Sequence, residues 1–191
     1  MSAPVLETLI GRVPKMISAF LPGYHRYPVR NLVFPGVIPA IDKKLYTPKP
    51  VSNRLSLPHP LESIGSNYVE GMVLTDLTAE EVQVFDWYED TAYLRSIVSV
   101  WIPSSNTNLG TTEVGGQTQT LSEEAVIATS SWKQHETNIY LWANPPSELD
   151  QDHDWDYAYF LENRLDWYME NTVRPCRKQL DALQIGVRNT D

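Results

Sequence analysis

Cysteine is nearly absent. Cys176 is the single one in 191 residues, so no disulfide can form within the chain and packing must hold the fold together. That usage fits a reducing compartment. No apolar run approaches the roughly 18 residues that a helix needs to cross a bilayer. Residues 1–20 interleave apolar stretches with Glu7, Arg12 and Lys15 rather than forming a signal peptide. A soluble, cytoplasmic protein with no membrane partner is expected. Positive charge is also scarce: 15 Lys and Arg stand against 24 Asp and Glu, a net charge of -9. Binding a phosphate backbone takes clustered cations that displace condensed counterions, so a nucleic-acid partner is not expected. A Gly-x-Ser-x-Gly nucleophile elbow is missing too, which leaves His25 no serine or cysteine to serve.

What the chain does have is an uneven charge distribution and many aromatic residues. Residues 1–60 carry eight basic and two acidic groups, whereas residues 61–140 carry two basic and twelve acidic ones. The first third could therefore face an anionic ligand, although its cations form no dense block. Six Trp and ten Tyr supply material for a packed interior. The length suits one domain, 1–191, with loop insertions near 44–66 and 103–135.

Leu6, Leu9, Ile10 and Val13 recur at helical spacing, with Pro4 early and Gly11 late, and predict a short amphipathic helix over 4–13. Residues 31–40, NLVFPGVIPA, suit a strand kinked by Pro35 and Gly36 or lying at an edge. Alternation over 67–75 predicts a strand. Thr78 and Glu81 form a capping box ahead of the apolar stripe begun by Val82 and Phe85, which predicts a helix over 79–89. Strands are expected over 93–102, 125–129 and 137–142, with 103–124 a Gly/Thr-rich surface excursion too long for a tight hairpin. In the tail, Tyr157, Leu161, Leu165 and Tyr168 share a helix face, and Pro175 should break or kink that helix. The acids at Asp150, Asp152, Asp154 and Asp156 lack the glycine and distal glutamate of an EF-hand, so they read as a solvated turn before a helix, and no metal site is expected. Helices placed before and among the strands give an α+β or mixed α/β fold class.

Glu89 is the candidate for chemistry. It lies seven residues after Val82 and four after Phe85, so helical geometry turns its carboxylate inward at a helix C-terminus where the macrodipole is negative. Asp86 and Asp90 add like charge. Desolvation, dipole and neighbours all disfavour the ionised form and should raise its pKa, which suits a group that takes and returns a proton near neutrality. The alternative is a frayed, solvated helix end. Tyr93 and Arg95 follow at a spacing that puts both on one strand face, where Arg95 could pair a substrate carboxylate or an acid such as Asp86 or Asp90.

The segment VLTDLTAEEVQVFDWYEDTAYLRSIVSV, Val73 to Val100, resembles the gamma-glutamylcyclotransferase-like family, in the branch typified by plant avirulence-induced proteins. The positions that carry the likeness are Asp86, Glu89, Asp90, Tyr93 and Arg95. The resemblance extends to Gly11–Ala40, to Tyr140, Trp142 and Asn144, and to Trp155–Tyr157. It implies a small, partly closed mixed β-sheet or barrel flanked by helices, with a pocket for a small γ-glutamyl compound. It also implies that Glu89 acts as acid/base in ring closure to 5-oxoproline, with Tyr93 and Arg95 as pocket residues and no cofactor. The family's first strand ends in a Tyr-Gly-Ser/Thr-Leu loop that holds substrate, and this sequence contains no such tetrapeptide; Met1 falls where the family's first helix begins. A truncated sequence, a replacement of the loop by another segment and a degenerate member that binds without turnover would each explain this, and the sequence as written implies weak or absent turnover. The readings are then an enzyme, a noncatalytic module binding a small ligand or a protein, or an interaction domain that uses 103–124 as a recognition loop. A missing first strand would also expose a sheet edge to self-association.

Overall fold

The computed structural model describes residues 1–40, 67–104, 132–183 and 185, together with the backbone of 111–114 and 117–120. The expected strand at 125–129 and the loop over 44–66 lie outside the described residues. Helix α1 spans Ala3–Ile10 and stops where Gly11 takes φ 74, its N–H closing on the carbonyl of Glu7. That glycine stop is why the helix ends short of Val13. Helix α2 spans Ala79–Glu89, the predicted range, with both hydrogen bonds of the Thr78–Glu81 capping box formed.

Four strands form the main sheet in the order β4-β1-β5-β8: β1 (Met16–Pro22), β4 (Tyr68–Leu74), β5 (Tyr93–Pro103) and β8 (Trp132–Trp142). With β2 (Tyr24–Pro28) and β3 (Pro35–Pro39) paired separately, every ladder among the described strands is antiparallel. The fold class is α+β, helices flanking a sheet. Sequence reading assigned no element to residues 14–28, where β1 and β2 lie. The signal was present: Ile17, Ala19 and Leu21 alternate, and Pro22-Gly23 marks the turn, with Gly23 at φ 74.

Other expectations need correction. The kinked strand at 31–40 is shorter, because Val29 to Phe34 closes as a turn with Asn31 at φ 63. Within 103–124 the backbone forms a two-stranded ladder, β6 (Thr111–Val114) on β7 (Gln117–Thr120), and Gly-Gly between Thr-rich segments is a hairpin signal. Strand β8 starts at Trp132, five residues before the expected 137.

The tail folds as α3 (Tyr157–Asn163), α4 (Leu165–Tyr168), a π-turn (Met169–Val173) and α5 (Arg174–Ala182). Pro175 therefore does not end the helix. It sits in the first turn after the π segment, where the wider turn accommodates a residue without an N–H. Tyr157 and Leu161 are exposed, and the buried side chains are Phe160, Met169, Val173 and Leu180, since the interruptions at Arg164 and the π-turn shift the helical phase.

Leu6 and Leu9 of α1, Val84 and Phe85 of α2, and Val173 and Leu180 of the tail form one core; Ala19, Leu21, Val73, Val98, Val100 and Ile102 form a second on the sheet. A third joins Val29, Ile38, Trp142 and Leu149. Gly36 is required there, because a Cβ would lie 2.8 Å from Leu149 Cδ2 and 3.0 Å from Trp142 Cγ. Among the described residues no helix is long and apolar enough to cross a membrane.

Candidate functional site

The only ladder pair between β1 and β5 among the described residues is Phe20 with Trp101. Beyond Pro22 the chain turns away into β2, so the N-terminal half of β5 has β8 on one side and no ladder on the other. A cavity of about 580 Å³ opens along this half-strand, a size typical of small-molecule sites. Helix α2 presents Val82, Phe85 and Glu89 to it, while Glu81, Val84 and Phe85 are buried in the protein.

The structure places Glu89, Tyr93 and Arg95 together on the wall of that cavity. Glu89 is half-buried, and burial pushes its carboxyl from the ordinary 4.5 up to about 7, opposed by the α-amino group of Met1 nearby. Desolvation is the cause; Asp86 and Asp90, both exposed, do not contribute. The turn out of α2 is strained: Asp90 sits at φ 49, ψ -152, a region that costs a residue with a Cβ about 1–3 kcal/mol. Such strain is often found beside functional groups because surrounding packing has to hold it.

Tyr93 donates its hydroxyl to the carbonyl of Pro35 at 2.7 Å, and burial raises its pKa. Its ring packs edge-on against Trp142, with centroids 5.3 Å apart, which fixes its place on the wall. Arg95 is already engaged: its Nε lies 3.0 Å from Asp86 Oδ1, the same oxygen that accepts the Tyr140 hydroxyl at 2.7 Å. Of the two roles open to Arg95 in the sequence, the pair with Asp86 is formed.

Sequence reasoning missed several residues around Glu89. Tyr88 and Tyr168 join their hydroxyls across 80 positions, and burial raises both pKa values, Tyr168 to about 12. No local pattern signals a contact at that separation. Arg26 also lines the cavity, one charge in a scattered basic third. The acidic turn is spent on protein partners: Asp150 holds His153 at 2.9 Å, Asp154 holds the distant His25 at 2.7 Å, and Asp156 caps α3 through the Tyr159 N–H. Among the described residues, no group of three or more His, Cys, Asp or Glu side chains is placed to hold a metal ion.

No family model matches the chain. It is 24% identical over 172 residues to AIG2-like protein D of Arabidopsis thaliana, covering 90% of this chain and 80% of that protein. With AIG2-like protein C of the same plant it shares 28% over 105 residues, 55% of this chain and 47% of that one. The chain is also similar to two Arabidopsis thaliana solution structures, At5g39720.1 and At3g28950.1, each with a TM-score of 0.46. The first is 17% identical, covering 96% of this chain and 86% of that one; the second is 18% identical, covering 100% and 88%. Together with the motif run from Val73 to Val100, the similarity to these curated relatives supports the chain's resemblance to the gamma-glutamylcyclotransferase-like family.

Proposed function

We propose that the protein is a cytoplasmic gamma-glutamylcyclotransferase-like enzyme that converts a γ-glutamyl amine or peptide to 5-oxoproline and a free amine. One observation carries this reading: Glu89, a half-buried carboxyl that burial pushes up to about 7, lines a small-molecule-sized cavity. The substrate's α-ammonium group releases one proton to solvent, and ionised Glu89 takes the second from that nitrogen as it attacks. The freed amine nitrogen attacks the γ-carbonyl carbon, a C–N bond closes the five-membered ring, and the carbonyl electrons move onto oxygen. On collapse the bond to the leaving nitrogen breaks, and Glu89 returns its proton to that nitrogen. Attack within one molecule makes positioning the main task, and a carboxyl titrating near neutrality serves both proton transfers.

A second reading keeps the cavity but not the turnover: a noncatalytic module that binds a small γ-glutamyl compound or a protein. In the family a Tyr-Gly-Ser/Thr-Leu loop supplies backbone donors for the substrate and its oxyanion, and these 191 residues contain no such tetrapeptide, which motivates this second reading. Incubating the purified chain with γ-glutamyl amines and measuring 5-oxoproline separates the two. Release abolished by Glu89→Gln supports the enzyme. Binding of a γ-glutamyl compound without release supports the module, and neither release nor binding sinks the enzyme and the small-ligand form of the module.

A further inference from the structure

Arg12, Arg30, Arg95, Arg174 and Arg177 each meet a carboxylate within 4 Å. Among the described residues Arg26 and Arg164 form no such pair, and Arg164 is exposed and stacked on Tyr159. Arg26 is half-buried in the cavity wall. Its Nη2 donates to the backbone carbonyl of Glu70 at 2.6 Å, and its guanidinium lies over the Trp155 ring at 5.5 Å. The Glu70 carboxylate is close enough to favour the cation but is exposed and makes no ion pair with it. One backbone carbonyl uses one of five guanidinium N–H donors. A desolvated cation with donors to spare, facing a cavity, is matched to an anion arriving from solution.

We propose that Arg26 anchors the α-carboxylate of the ligand in this cavity, placing the adjacent α-amino group toward Glu89. This rests on the cyclotransferase reading for the identity of the ligand. Arg95, paired with the Asp86 carboxylate that Tyr140 also bonds, is then a wall of the site and not its carboxylate anchor. The competing account makes Arg26 a strut that ties β2 to β4 through Glu70 and to the tail through Trp155.

The test compares binding of 5-oxoproline with that of its carboxamide, by calorimetry, in the wild type, Arg26→Gln, Arg26→Lys and Trp155→Phe. The expected result is that Arg26→Gln weakens 5-oxoproline by about tenfold or more, the scale of a lost charge-assisted contact. Binding of the carboxamide should stay within about twofold, and Trp155→Phe should leave the ratio of the two affinities unchanged. If Arg26→Gln fails to fold, as judged by near-ultraviolet circular dichroism, Arg26→Lys decides, because it keeps the charge and loses the fork; the ratio should fall partway. Equal weakening of both ligands, an unchanged ratio in the arginine variants, or a wild type that does not prefer the carboxylate overturns the proposal. An intact Arg26-dependent preference with no Glu89-dependent release of 5-oxoproline leaves the anchor standing and removes the reaction.

Discussion

Replacing Glu89 with glutamine should make the protein more stable at alkaline pH. In the folded state burial holds this carboxyl at about 7, against 4.5 in the open chain. Between those values the native state binds more protons than the unfolded one, so the contribution of Glu89 is fully present below pH 4.5 and lost as pH rises through about 7. At about 1.4 kcal/mol per pH unit, that interval corresponds to roughly 3 kcal/mol. Glutamine is nearly isosteric and does not titrate. The Glu89→Gln variant should therefore gain on the wild type steadily from pH 5 to 8, reaching roughly 3 kcal/mol at the alkaline end. For a chain of this size that is on the order of 6–12 °C in Tm. Urea unfolding of both proteins at half-unit pH steps measures it, with all other titrating groups common to both. A difference that stays flat across the range, or that favours the wild type at pH 8, would refute the claim that desolvation governs this carboxyl.

Five further substitutions test the framework around the site. Gly36→Ala should cost about 1–3 kcal/mol in denaturant unfolding, because the new methyl overlaps Leu149 and Trp142. Gly71→Ala, with nothing within 4 Å of its Cβ position, should stay within about 0.5 kcal/mol of the wild type; equal losses would refute the packing argument. Asp90→Gly should raise stability by about 1 kcal/mol, since relief of the strained φ outweighs the extra chain entropy, and a lowered Tm would show that the carboxylate is needed there. Thr78→Ala should cost about 1 kcal/mol as a lost helix cap, and Glu81→Ala should cost more, because it removes both the return bond of the box and the partner of Arg12. A reversed order in urea midpoints would show that the box contributes little.

Local chemistry was legible and distance was not. The limits of α2 could be read because both hydrogen bonds of its capping box lie within four residues, and those of β5 because YLRSIVSVWI is rich in β-branched and aromatic residues. The inward turn of Glu89 followed from helical spacing alone. The role of Arg95 could be narrowed only to two options, since choosing between them required knowing that Tyr140, 54 positions from Asp86, would share the same oxygen. Arg26 carried no local mark whatever. Its significance comes from Glu70 and Trp155, which approach from 44 and 129 positions away. The tail misled because a π-turn changes the angular step per residue, so a face counted at a constant 3.6 drifts from the buried one.

The guanidinium of Arg12 grips both oxygens of Glu81 at 2.6 Å, just past the end of α1 and in the first turn of α2. Eight residues farther along, at about 1.5 Å each, the same rod carries Glu89 at its tip, so the grip works as the pivot of a boom roughly 12 Å long. Loosening that pivot enough to swing the boom by about 5° would move the tip by roughly 1 Å, a misplacement that lowers rates by about a hundredfold in enzymes built on positioning. Damage at Arg12 would then reach Glu89 through the rod, although Arg12 itself lies outside the cavity lining.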